Sequence, residues 1–177
     1  MLRLTSPTIT DRQPLPVQVV GPGQGENLSP ALEWTSDAPA PAAWALQLTD
    51  DDAPDYRHWM VLLPGHVSAL EAGLLPDGAV QGQGTRALGY EGPCPPSGTH
   101  HYVFTLSALS AMPPLAEGFE GTDFDRALAE LAMESATLRG THRPRIEHTV
   151  RVELGRVLNG ARKRLPAGAV ARLVGRG

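Results

Sequence analysis

A mainly β fold, a two-sheet antiparallel β-sandwich with one helix near 123–138, is what this sequence predicts, and three observations carry that expectation. Short apolar runs recur with period-two alternation, the signature of strands that bury one face. The stretches between them are rich in residues that break helices and shape tight turns, with 19 glycines and 17 prolines in 177 residues. One internal segment shows a capped, helical spacing of apolar residues.

In chain order, the first strand is expected over Leu15–Val20, followed by the turn-rich GPGQGENLSP. Leu32 and Trp34 mark the second strand, and Trp44, Leu46 and Leu48 the third, with SDAPAPA between them. The apolar run Trp59–Leu63 reads as a fourth strand. LPDGAVQGQG and GYEGPCPPSGT then lead into a strand marked by Tyr102, Phe104 and Leu106. At 123–138 the pattern changes: Phe124, Leu128, Leu131, Ala132, Ser135 and Leu138 fall on one helical face, behind a Thr122 or Asp123 cap and before Gly140. Beyond Thr141, Ile146, Val150, Leu154, Val157 and Leu158 recur at helical spacing, which predicts a C-terminal helical tail over 146–164.

The length allows one compact core with an appendage, so the expected organisation is a sandwich over 1–140 and a basic C-terminal extension over 141–177. Charge divides the chain in the same place. Residues 1–138 hold 5 Lys+Arg against 17 Asp+Glu, whereas residues 139–177 hold 10 against 2. An acidic body repels phosphate backbones, so no nucleic-acid partner is expected, and any polyanion or membrane affinity falls to the tail. A homodimer contact is a further expectation for that tail. No run approaches the roughly 18–20 apolar residues that cross a bilayer, and MLRLTSPTIT carries no signal-peptide core. A single cysteine, Cys94, excludes an internal disulfide. A cytoplasmic protein is the expectation.

Three segments at strand ends concentrate polar residues: Asp50-Asp51-Asp52-Ala53-Pro54, Arg57-His58-Trp59, and Gly92-Pro93-Cys94-Pro95-Pro96 running to His100-His101-Tyr102. Asp50 and Asp52 are two apart and point the same way on an extended chain. If His58 and His100 face those carboxylates, their charged forms are favoured and the pocket can hold a phosphate by charge-assisted hydrogen bonds. Adjacent histidines on a strand point to opposite faces, and His100 is assigned inward. Asp50, Asp52, His58 and His100 have acceptable metal-ligand types, but their spacing matches no metal motif. No metal and no cofactor are therefore expected.

The segments NLSPALEW (27–34), LTDDDAP (48–54), HWMV (58–61) and GYEGPCPPSGTHHYVFTLSAL (89–109) resemble, in order and spacing, the signatures of the phosphatidylethanolamine-binding protein family, which includes the Raf kinase inhibitor protein. The resemblance covers roughly residues 2–140. It implies a β-sandwich with a small pocket near one end that binds phosphate, acetate or a phosphoethanolamine headgroup. Asp50 and Asp52 match the aspartates of the family's Asp-Pro-Asp-Ala-Pro motif. His58 matches a family histidine, Gly92, Pro95 and Pro96 match the Gly/Pro loop, and His100 and Tyr102 match the histidine and tyrosine that follow it. Asp51 stands where the family has proline, and the tail after about 140 has no counterpart.

The expected function is thus a non-enzymatic binding or regulatory protein with a pocket for a small anionic ligand or a phosphorylated protein partner. Some relatives inhibit kinases or proteases. The alternative is a hydrolase in which an Asp–His pair activates water, or Cys94, against a small ester or phosphoester.

Overall fold

The computed structural model describes residues 1–144, and the helix expected over 146–164 lies outside the described residues. In chain order the elements are β1 (Leu2–Thr5), β2 (Gln13–Pro14), a short 3-10 turn (Val17–Val19), β3 (Leu32–Ser36), β4 (Ala43–Asp50), β5 (Arg57–Pro64), β6 (Ala69–Leu70), β7 (Val80–Gln81), β8 (His100–Leu109), α1 (Gly121–Leu131) and β9 (Ala132–His142). They form a three-stranded sheet of order β1-β3-β6 and a six-stranded sheet of order β2-β9-β8-β4-β5-β7. The large sheet is mixed rather than wholly antiparallel, because β2 runs parallel to β9 at its edge.

Side-chain alternation assigns the faces. Trp44, Leu46 and Leu48 of β4, Trp59, Val61 and Leu63 of β5, and Phe104 and Leu106 of β8 bury against Leu2, Leu4, Leu32 and Trp34 of the small sheet. The residues between them, Ala43, Ala45, Met60, Leu62 and Leu109, bury on the outer face beneath Phe119 and Phe124. The Trp59–Leu63 run is apolar without a break because both faces of β5 are covered. Helix α1 sits on this outer face by way of Phe124 and Ala127.

Two sequence expectations are corrected. Leu15–Val20 is not a strand: Pro16, fixed at φ −68, leads into the 3-10 turn, and Leu15 and Val19 are buried while Val17 between them is exposed, which breaks the alternation of a strand. The helix ends at Leu131, and Ala132–Leu138 belongs to a strand. The apolar spacing continues a helical period there, but β8 would otherwise present an unpaired edge, and a ladder from His100↔His142 to Leu109↔Ala132 satisfies both backbones. Gly140, expected as a helix stop, lies within this strand, where a Cβ would come 2.3 Å from Leu15 Cδ2.

Candidate functional site

The inward faces of β4 and β8 change character at one end of the sandwich. The ladder that pairs Leu46 with Leu106 and Leu48 with Phe104 continues to Asp50 opposite Tyr102, with His100 two residues further on. These positions inherit an inward direction from the strand period, and the apolar filling stops before them. The result is a cleft of about 160 Å³ lined by Asp50, His58, Gly92, Pro95, Pro96, His100 and Tyr102 among others.

Asp50 is buried, with 4% of its side chain exposed, and His100 Nδ1 lies 2.7 Å from its Oδ2. Its other oxygen, Oδ1, accepts the Asp52 amide at 2.9 Å, which fixes the turn after β4. Asp52 does not line the cleft. Its Oδ2 accepts from the His101 amide at 2.7 Å and lies 2.9 Å from the His101 ring, and these two hydrogen bonds hold its carboxyl below the usual range. Asp51 turns outward too, with Arg139 Nη1 donating to it at 3.0 Å, so its charge is spent outside the cleft. His101 points away from His100 and is exposed.

His58 arrives by a different route. Leu48 pairs with Trp59 and Thr49 with Arg57, so His58 is the extra residue of a β-bulge. Simple alternation would put it on the face opposite Trp59. The bulge instead brings its ring edge-on to Tyr102, 5.4 Å between centroids. Its Nδ1 lies 2.9 Å from the Glu91 carbonyl oxygen, which can only accept, so the proton sits on Nδ1. Burial pushes the His58 pKa down, against smaller upward effects that include Asp50. The expectation that the carboxylates would favour a charged ring is therefore corrected for His58, because desolvation outweighs their attraction.

The Gly92–Pro96 loop supplies shape more than donors. Pro93, Pro95 and Pro96 have no N–H, and the Gly92 amide donates to Asn27 Oδ1 at 2.8 Å. Gly92 is required by close approach, since a Cβ would meet the Val19 carbonyl oxygen at 2.4 Å. Gly21 in turn donates to the Pro93 carbonyl at 2.8 Å, and the Tyr90 hydroxyl to Val19 O at 2.7 Å, so the 19–27 loop braces the cleft wall. Cys94 lines the cleft as an exposed free thiol, with Gln24 Nε2 3.6 Å away.

Besides Ala53, sequence reasoning missed three polar lining residues, Tyr56, Arg86 and Glu91. The Tyr56 hydroxyl donates to Glu91 Oε1 at 2.6 Å, and Arg86 lies 5.5 Å over the Tyr56 ring with Nη1 3.8 Å from the same oxygen. Glu91 was legible inside the GYEGPCPP segment and Tyr56 beside His58; Arg86 carries no sequence signal beyond being one of few cations in an acidic body. Two buried polar atoms of the cleft, the Tyr102 hydroxyl and Glu91 Oε2, have no hydrogen-bond partner among the described residues. Burial, with Asp50 adding to it, pushes the Tyr102 phenol up, so it stays protonated. Asp50, Asp52 and His100 bring ligand-type atoms within 4.8 Å of one another, with both oxygens of Asp50 and Oδ2 of Asp52 already engaged by N–H groups.

Comparison with known proteins finds relatives of the chain as a whole. The sequence profile of the phosphatidylethanolamine-binding protein family matches residues 5–143. A UPF0098 protein of Mycobacterium tuberculosis is 40% identical over 154 residues, spanning 80% of this chain and 70% of the relative. A UPF0098 protein of Methanothermobacter thermautotrophicus is 40% identical over 128 residues, spanning 67% and 85%. A relative named as a lipoprotein, LppC of Mycobacterium tuberculosis, is 41% identical over 148 residues, spanning 79% and 71%. Among solved structures, Escherichia coli YbcL, described as a member of the mammalian PEBP family, superposes with a TM-score of 0.76 at 28% identity over 81% of this chain and 99% of its own.

Proposed function

The chain belongs to the phosphatidylethanolamine-binding protein family, and from that premise we propose that it is a non-enzymatic binding module whose cleft takes a small phosphate-like or carboxylate anion. The observation that carries this reading is the Tyr102 hydroxyl. It is buried and makes no hydrogen bond among the described residues, with the Asp50 carboxylate as its nearest charged neighbour, and the Tyr102 ring centroid lies 5.4 Å from that of His58 and 6.3 Å from that of His100. An unsatisfied buried hydroxyl costs about 1–3 kcal/mol, which a ligand acceptor removes. With His100 Nδ1 committed to Asp50, the ring nitrogen left for a ligand is Nε2. Arg86 adds positive charge at the rim. A protein partner enters this scheme through a phosphorylated side chain in the same cleft.

Calorimetric titration with inorganic phosphate, acetate and O-phosphoethanolamine tests the reading. The wild type is expected to bind at least one of them, His100→Ala to abolish that binding, and Tyr102→Phe to weaken it about tenfold. No binding of any of the three by the wild type overturns it. The Asp50–His100 pair is also the arrangement that orients a general base. Turnover of ester or phosphoester substrates by the wild type, lost in His100→Ala, would establish the hydrolase reading in its place. The compartment proposed is the cytoplasm, and recovery of the native protein in the membrane fraction overturns that placement.

A further inference from the structure

Resting on the reading of the cleft as an anion site, we infer that Glu91 and His58 make it selective for an oxyanion that carries its own proton. The class is hydrogen phosphate, or a phosphate monoester in its singly charged form. Sulfate and phosphodiesters, which have no proton to give, are disfavoured.

The geometry of one wall carries this. Glu91 Oε1 is engaged by the Tyr56 hydroxyl at 2.6 Å, while Oε2 is buried without a partner among the described residues. The Glu91 side chain is only 17% exposed, so water satisfies that oxygen poorly. Directly behind it, the Glu91 carbonyl holds His58 Nδ1 at 2.9 Å, and a proton on Nδ1 leaves Nε2 as a lone-pair acceptor. The Tyr56 ring, 4.6 Å from the His58 ring, packs the two acceptors into one unit.

The cleft therefore offers two sets of groups. All four residues line the cleft: the Tyr102 hydroxyl can donate to a ligand acceptor, joined by His100 Nε2 when that ring carries both protons, while Glu91 Oε2 and His58 Nε2 can accept from a ligand donor. A P–OH oxyanion supplies both from a single tetrahedral centre. A proton-free oxyanion meets the donors but turns a negative oxygen toward a carboxylate, which repels it and stays unsatisfied. Sites built around a ligand hydrogen-bond donor discriminate strongly against analogues that lack it.

The test is calorimetry on the wild-type chain at pH 7 and constant ionic strength, with sodium phosphate, sodium sulfate and sodium dimethyl phosphate as probes. Phosphate is expected to bind at least about tenfold more tightly than either of the other two. Glu91→Gln, whose amide donates as well as accepts, should narrow the phosphate-to-sulfate ratio. Sulfate binding as tightly as phosphate overturns this inference and leaves the anion reading intact, whereas no binding of phosphate or any other anion overturns both. If Glu91→Gln does not fold, the wild-type ratios still decide. O-phosphoethanolamine and phosphate, both titrated at pH 6, separate the sources: tighter binding of the first assigns a monoester, and weaker binding assigns the free ion.

Discussion

The β4–β8 ladder passes through two environments on one inward face. At its centre, Leu46 pairs with Leu106 and both are fully buried among other apolar side chains. At its end, Asp50 pairs with Tyr102, almost as deeply buried, yet the neighbourhood holds a carboxylate–histidine pair, a bulged histidine and two polar atoms without a hydrogen-bond partner among the described residues. Backbone geometry is continuous between the two regions, so the difference lies in side-chain chemistry and in the loops that close the end. The centre is organised for stability. The end accepts a cost in buried polarity that folding does not require, which is what the proposed anion site would need.

Phe104→Ala strikes the central region and should have the largest effect. It removes a ring with no exposure, and about 3–5 kcal/mol of stability should go with it, read as a lower urea midpoint. Any fall in anion affinity should then track the fraction unfolded. Asp50→Asn strikes the end. Loss of the charged partner of His100 should lower stability by about 1–2 kcal/mol and weaken anion binding in fully folded protein, as calorimetry at low temperature would read. Equal losses of stability and of binding from both variants would erase the distinction between the regions.

The smallest effect concerns pH. Burial holds the His58 pKa below its unfolded value of about 6.5, so the unfolded chain takes up this proton first as pH falls. The contribution of the neutral ring is complete above about pH 6.5 and is lost progressively below it. Urea midpoints of the wild type at pH 7.5 and pH 5 should differ by more than those of His58→Gln. Parallel profiles would show that the bulged histidine is not the group that couples this end of the sandwich to pH.

Much of the fold was legible because alternation is a local property. Leu32/Trp34, Trp44/Leu46/Leu48, Trp59–Leu63 and Tyr102/Phe104/Leu106 all fall inside strands. The failures occurred where local pattern and ladder pairing disagreed. Leu15–Val20 has β-branched residues but is turned by Pro16, and 132–138 has helical spacing but completes the edge of β8. At the cleft, the segments with Asp50, His58, Gly92–Pro96, His100 and Tyr102 stood out as polar residues at strand ends, and the strands bring those residues to one cavity. Asp52 was grouped with them because residues two apart share a face on a straight strand; β4 ends at Asp50, and the turn that follows sends Asp52 to His101.

The sequence by itself determined the β class, the strands whose alternation is unambiguous, the family and the segments that supply the cleft, since each depends on residue type at short spacing. Tertiary structure alone decided that 132–142 pairs with β8, that His58 enters the cleft through a bulge, and that Gly92 spends its amide on Asn27. It also brought Tyr56, Arg86 and Glu91 to the same cavity. Those outcomes depend on which backbone edges need partners and on which side chains lose water together, and both are fixed only when distant segments pack.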